Sequence, residues 1–69
     1  MTSAWVEQFF TSSKQVNSGG VARRSAYHVE QHGALEEIVW EARERGFHVI
    51  ETGDQIVLLA HSGAVVLHC

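Results

Sequence analysis

The 69-residue chain reads as an α+β fold, a small two-layer sandwich of element order α-β-α-β-β-β, with a C-terminal antiparallel β-meander packed on two helices. Three observations predict it. Apolar residues recur at helical spacing over residues 1–16 and 34–45. Three apolar runs fill residues 47–69, parted by the two-residue breaks Gly53-Asp54 and Ser62-Gly63. Hydrophobic residues make up 45% of the chain, which suits a packed core and is too apolar for a disordered segment. Residues 1–69 are therefore expected to form a single small domain with thin stability, unaided by disulfides because there is one cysteine.

The first helix is expected over residues 1–16. Thr2 or Ser3 can cap it by accepting a hydrogen bond from a free N–H of the first turn. Trp5, Val6, Phe9, Phe10 and Val16 fall within an arc of roughly 140° at helical spacing, which gives the helix an aromatic face. Residues 17–20, Asn-Ser-Gly-Gly, form a Gly-rich loop that stops it, since glycine tolerates the left-handed conformation at helix ends. Residues 21–31 read as a strand, on the Tyr27-His28-Val29 segment and the glycine breaks at either side. The same stretch also carries a weak helical stripe of Val21, Ala22, Ser25, Ala26 and Val29.

The second helix, 34–45, is the clearest element. Leu35, Ile38, Val39 and Ala42 follow the i, i+3, i+4, i+7 pattern, and Glu36 and Glu37 stand near its positive end. Arg43 and Arg45 stand near its negative end, and Gly46 supplies the stop. The meander follows over 47–69 as Phe47–Thr52, Gln55–His61 and Ala64–Cys69.

Counting outward from two-residue turns assigns the faces. Around Gly53-Asp54, Ile50 should oppose Val57, Val49 oppose Leu58, His48 oppose Leu59 and Phe47 oppose Ala60. Around Ser62-Gly63, Ala60 should oppose Val65, and Leu58 oppose Leu67. One sheet face then carries Phe47, Val49, Ile56, Leu58, Ala60, Val65 and Leu67 for the core. The other carries His48, Ile50, Val57, Leu59, His61, Val66 and His68, half apolar and half imidazole. The aromatic first helix is expected to cover that second face, with a second subunit as the alternative, because such a patch is unusual on a monomer.

Five Lys and Arg stand against eight Asp and Glu, for a net charge of −3, and the pI is about 5.9. That balance argues against direct nucleic-acid binding, which usually needs a basic patch. Apolar runs fall short of the roughly 20 residues that span a bilayer, so no membrane association is expected. The start of the chain lacks a basic segment followed by an apolar one, and with a single cysteine a cytoplasmic location is expected. Seven of the acidic residues crowd into 30–54, namely Glu30, Glu36, Glu37, Glu41, Glu44, Glu51 and Asp54.

Five histidines raise a metal reading. His48 and His61 lie diagonally on neighbouring strands, about 7–8 Å apart at Cβ, and could bridge an ion between two copies of the chain. His48 and His68 are on the order of 12 Å apart, too far for one zinc. His28-Val29-Glu30-Gln31-His32 lacks the glutamate directly after the first histidine that a zinc protease helix uses as base. No metal and no cofactor is expected. No serine, nor Cys69, sits in a nucleophile elbow or beside a patterned base, so the chain is not read as an enzyme.

On the second helix Trp40 lies at roughly 140° from Leu35, off the apolar stripe. Glu37, Glu41 and Glu44 lie beside it at about 200°, 240° and 180°. A tryptophan among like charges suits an interface with a basic protein, where aromatic anchors carry energy and charge sets approach and register. The plainer reading has the glutamates solvate the helix while Trp40 tucks against the first helix. Trp40, Glu37, Glu41 and Glu44 are the expected partner-binding residues, with Glu30 and Asp54 as outlying candidates. Carboxylates at this spacing also imitate a phosphate backbone.

The expected function is a non-enzymatic acidic interaction module that binds, and thereby inhibits or regulates, a basic protein of nucleic-acid machinery. Compact, acidic chains of this kind resemble accessory proteins of phages and mobile elements, including anti-CRISPR proteins, in size, charge and class. Two alternatives stand beside it. The run from helix through Gly46-Phe47 into the meander resembles small ribonuclease toxins of toxin–antitoxin pairs, which implies RNA contact through Lys14, Arg23, Arg24 and a histidine. Those toxins carry a histidine shortly after the first-turn glycine, whereas Asp54 and Gln55 follow Gly53 here. The other alternative is a homodimer bridged by metal at His48 and His61.

Overall fold

A computed structural model describes residues 3–12 and 14–69, apart from the side chains at 12, 15 and 17. The elements are α1 (Ala4–Ser12), α2 (Lys14–Asn17), β1 (Val21–Ser25), α3 (Ala26–Gln31), α4 (Leu35–Arg45), β2 (His48–Glu51) and β3 (Gln55–Leu59). The fold is α+β, with a three-stranded antiparallel sheet packed on helices. Among the described residues no helix is long and apolar enough to cross a membrane.

β3 is the central strand, in the order β1-β3-β2. Its pairing with β2 is the expected one: His48 opposes Leu59, Val49 opposes Leu58 and Ile50 opposes Val57. The turn between them holds Gly53 and Asp54. The Thr52 N–H donates to the Gln55 carbonyl at 2.9 Å, and the Thr52 hydroxyl accepts from the Gln55 N–H at 3.0 Å. A threonine side chain thus closes the hairpin by mimicking a backbone turn.

The helices all lie on one side of the sheet. Ala22, Ile56, Leu58 and Ala60 point into a core shared with Val6, Phe9, Phe10 and Val16 from the first two helices. Val29 of α3 and Ile38 and Ala42 of α4 complete it, and every one of these side chains is buried. Arg24 shares the face of Ala22, and its guanidinium stacks 4.6 Å over the Phe9 ring, so α1 sits against this inner face. Ser3 starts α1 as expected, its hydroxyl accepting from the Val6 N–H at 3.4 Å. Thr2, the other expected cap, lies outside the described residues.

Three expectations are corrected. Residues 21–31 are strand only as far as Ser25, and 26–31 form helix α3. The ladder ends there because Ser25 is paired with Gln55, the first residue after the hairpin turn. The Asp54 carbonyl takes the Ala26 N–H at 2.8 Å, and beyond that point no strand remains to pair with. A helix satisfies its own backbone groups instead. Second, residues 64–69 form no strand, because β1 occupies the edge of β3 that the third meander strand was expected to fill. The Ala60 N–H donates to the Gly20 carbonyl at 2.9 Å, which extends the β1–β3 contact past the strand ends.

Third, α1 does not cover the second sheet face. That face carries Val21 and Arg23 of β1 beside His48, Ile50, Val57 and Leu59, and α1 packs on the opposite one. The chain after β3 is moored at its rim. The Gly63 carbonyl lies 2.8 Å from His48 Nε2, while the Gly63 N–H donates to His61 Nδ1 at 3.2 Å.

Candidate interaction surface on α4 and the adjoining cleft

α4 is positioned by small residues and a glycine stop. Ala34, Ile38 and Ala42, at i, i+4 and i+8, are the sealed line of contact. Alanine at two of the three positions lets the backbone come close to the core. Gly46 ends the helix at φ 76°, in the left-handed region, and its N–H and that of Phe47 return to carbonyls of the last turn. The rotation of the helix is fixed by this line.

It differs by part of a turn from the stripe centred on Leu35. Leu35 is exposed and Val39 half-buried, so the outward side is Glu36, Trp40 and Glu44. Trp40 is 49% exposed. Glu44 is exposed beside it. Glu37 and Glu41 lie on the flank and are engaged within the chain. The Glu37 carboxylate accepts the Ser3 backbone N–H, and Glu41 pairs with Arg45 at 3.5 Å. Arg45 in turn stacks 5.0 Å from the Phe10 ring centroid.

The four expected partner-binding residues therefore divide. Trp40 and Glu44 share the free surface, and Glu37 and Glu41 serve the α1–α4 contact. Glu36, which joins the free surface, was missed by the sequence reading. The signal that finds it is the i, i+4, i+8 series Ala34-Ile38-Ala42, which an apolar wheel dominated by Leu35 and Val39 obscures.

At its first turn the outward side of α4 runs into a cleft of about 500 Å³. Ala26 and Leu35 line its accessible floor, with Val29 and Ile56 sealed beneath, and Glu30, Glu36 and Glu51 form its polar rim. Gly33, at φ 58°, makes the sharp corner between α3 and α4 that leaves this space open. Among the described residues, Glu30, Glu36 and Glu51 have no basic partner for their carboxylates.

The residues of the alternatives are placed differently. Arg23 and Arg24 are neighbours in β1 and so point to opposite faces of the sheet; Arg24 is held over Phe9. Lys14 is on α2. The structure does not bring these three onto one surface. The His48 and His61 rings meet edge to face at 6.2 Å. His28 and His32 are one helical turn apart, but His32 stacks on Trp5 at 4.5 Å while His28 lies against Tyr27. Among the described residues no group of three or more His, Cys, Asp or Glu is placed to hold a metal ion. Comparison with protein-family models, with curated proteins and with solved structures gives no match.

Proposed function

We propose that this chain is an acidic interaction module that binds a basic protein partner through the outward side of α4. The observation that carries the reading is Trp40, half exposed on α4 and flanked one turn to each side by the exposed Glu36 and Glu44. A half-exposed indole offers a large, rigid contact area to a partner. Carboxylates around it draw in a positively charged surface and repel a negative one. The net charge of −3 works in the same direction over longer range. A basic surface of that kind is what proteins use to hold nucleic acid, so a module seated on it acts as an inhibitor of nucleic-acid machinery.

The test is affinity capture from nuclease-treated lysate of the source cells, with the wild-type chain beside Trp40→Ala and Glu44→Lys. A protein retained by the wild type and lost with both variants is the expected result. Retention of the same protein by both variants would overturn the reading. Material that disappears on nuclease treatment would show direct nucleic-acid binding and overturn it too.

A further inference from the structure

The cleft at the first turn of α4 specifies more than a positively charged surface. Its floor, from Ala26 and Leu35, is apolar, and its rim bears the carboxylates of Glu30, Glu36 and Glu51. About 500 Å³ lies within the roughly 300–1,000 Å³ of specific ligand sites. A simple cation gains nothing from the floor, and a neutral apolar group gains nothing from the rim. A side chain with a long hydrocarbon stem and a cationic head uses both, because lysine and arginine lay their stems on apolar surface while the charge stays in water.

We infer that the cleft receives an arginine or lysine side chain, together with an apolar neighbour, from an extended segment of the basic protein partner. The stem lies along Ala26 and Leu35, and the head reaches the carboxylates of Glu36 and Glu51. Glu36 is common to the cleft and to the outward side of α4, so the basic segment and the partner surface over Trp40 are continuous. Arginine fits the rim best, since its planar fork can engage two carboxylates at once. The inference rests on the proposed binding of a basic protein and adds the chemistry of one contact.

The test is an NMR titration of the uniformly ¹⁵N-labelled chain with three probes. These are the acetylated, amidated tetrapeptide Ala-Leu-Arg-Ala, the same peptide with citrulline for arginine, and spermidine. Saturable shifts of the Gly33, Glu36 and Glu51 amides are expected with the arginine peptide, and none with the citrulline peptide. Glu36→Gln and Glu51→Gln should each weaken that binding about two- to fivefold, the range of a solvent-exposed ion pair. Glu7→Gln, on α1 and outside both the cleft and the outward side of α4, should leave it unchanged.

Equal binding of the citrulline peptide would overturn the inference, because the carboxylates would then play no part. Equal binding of spermidine at the same amides would overturn it as well, since the floor would then be idle. Absence of shifts at the cleft while Trp40-dependent capture persists would reject the cleft and leave the module reading standing. Binding of the arginine peptide without Trp40-dependent capture would do the reverse.

Discussion

Glu37 and Glu41, and Glu36 and Glu44, are two pairs of the same residue type on the same helix, one or a few positions apart. The first pair meets a backbone N–H of the segment leading into α1 and the guanidinium of Arg45. The second pair meets solvent and borders an exposed tryptophan. The angle around the helix axis, set by the buried line of Ala34, Ile38 and Ala42, separates Glu36 from Glu41. Glu37 and Glu44 are seven positions and about 20° apart on the wheel, and they differ in position along the axis, where Glu37 meets the Ser3 N–H. Charge count alone treats all four alike. Rotation and axial position together decide which carboxylates are engaged within the chain and which are left for another molecule.

The strongest way to break this division is to loosen the line that fixes the rotation. Ile38→Ala removes a sealed side chain from the centre of the contact and should destabilise the domain by about 2–5 kcal/mol. In a domain of 69 residues that is a large share of the total, and urea unfolding followed by circular dichroism should show a lowered midpoint or no cooperative transition. Gly46→Ala acts at the end of the helix. A Cβ there meets only ordinary contact with Ser62, so the penalty is the left-handed backbone itself, about 1 kcal/mol. Thermal melting should fall by about 4–8 °C.

The engaged flank should yield a smaller change. Truncating Glu41 and Arg45 singly and together isolates their coupling, expected at about 0.3–0.5 kcal/mol for a pair at this spacing. Arg45→Ala should cost more than Glu41→Ala, because it also removes the contact with Phe10. The smallest effect on stability belongs to the outward side. Glu36→Gln and Glu44→Gln should each change unfolding free energy by less than about 0.5 kcal/mol while reducing capture of the partner. If either variant destabilises the domain as much as Ile38→Ala, the division between the two sides does not hold.

The parts legible in the sequence are those settled within a short stretch of chain. α4 declares itself by periodicity and its glycine stop, and the β2–β3 register follows from a two-residue turn. Residues 26–31 and 64–69 were misassigned for one shared reason. A strand needs a neighbour, and β3 has two edges. Once β1 and β2 take them, the Ala-Val-Val-Leu run of residues 64–67 has the composition of a strand and no place on β3. Val65, Val66 and Leu67 are 41%, 68% and 78% exposed as a result. Which segment wins an edge is a property of the whole sheet. Trp40 and Glu44 were visible on the helical wheel and Glu30 as an outlying carboxylate, whereas Glu36 needed the true rotation and Glu51 the corner at Gly33.

The central place of β3 also constrains the order in which the chain can assemble. The β2–β3 hairpin closes over a two-residue turn and can form on its own timescale. β1 cannot join it early. Val21 meets Leu59 and Ser25 meets Gln55, with all of α3, α4 and β2 between them in the chain. During synthesis, β1 and the aromatic helix before it leave the ribosome with their apolar sides uncovered, and they stay so until the last of β3 follows. Loop closure over that span carries the entropy of the search. Contacts that α3 and α4 make locally, before the sheet exists, shorten the search, and the left-handed glycines at 33 and 46 hold those helices at the angles the returning strand requires.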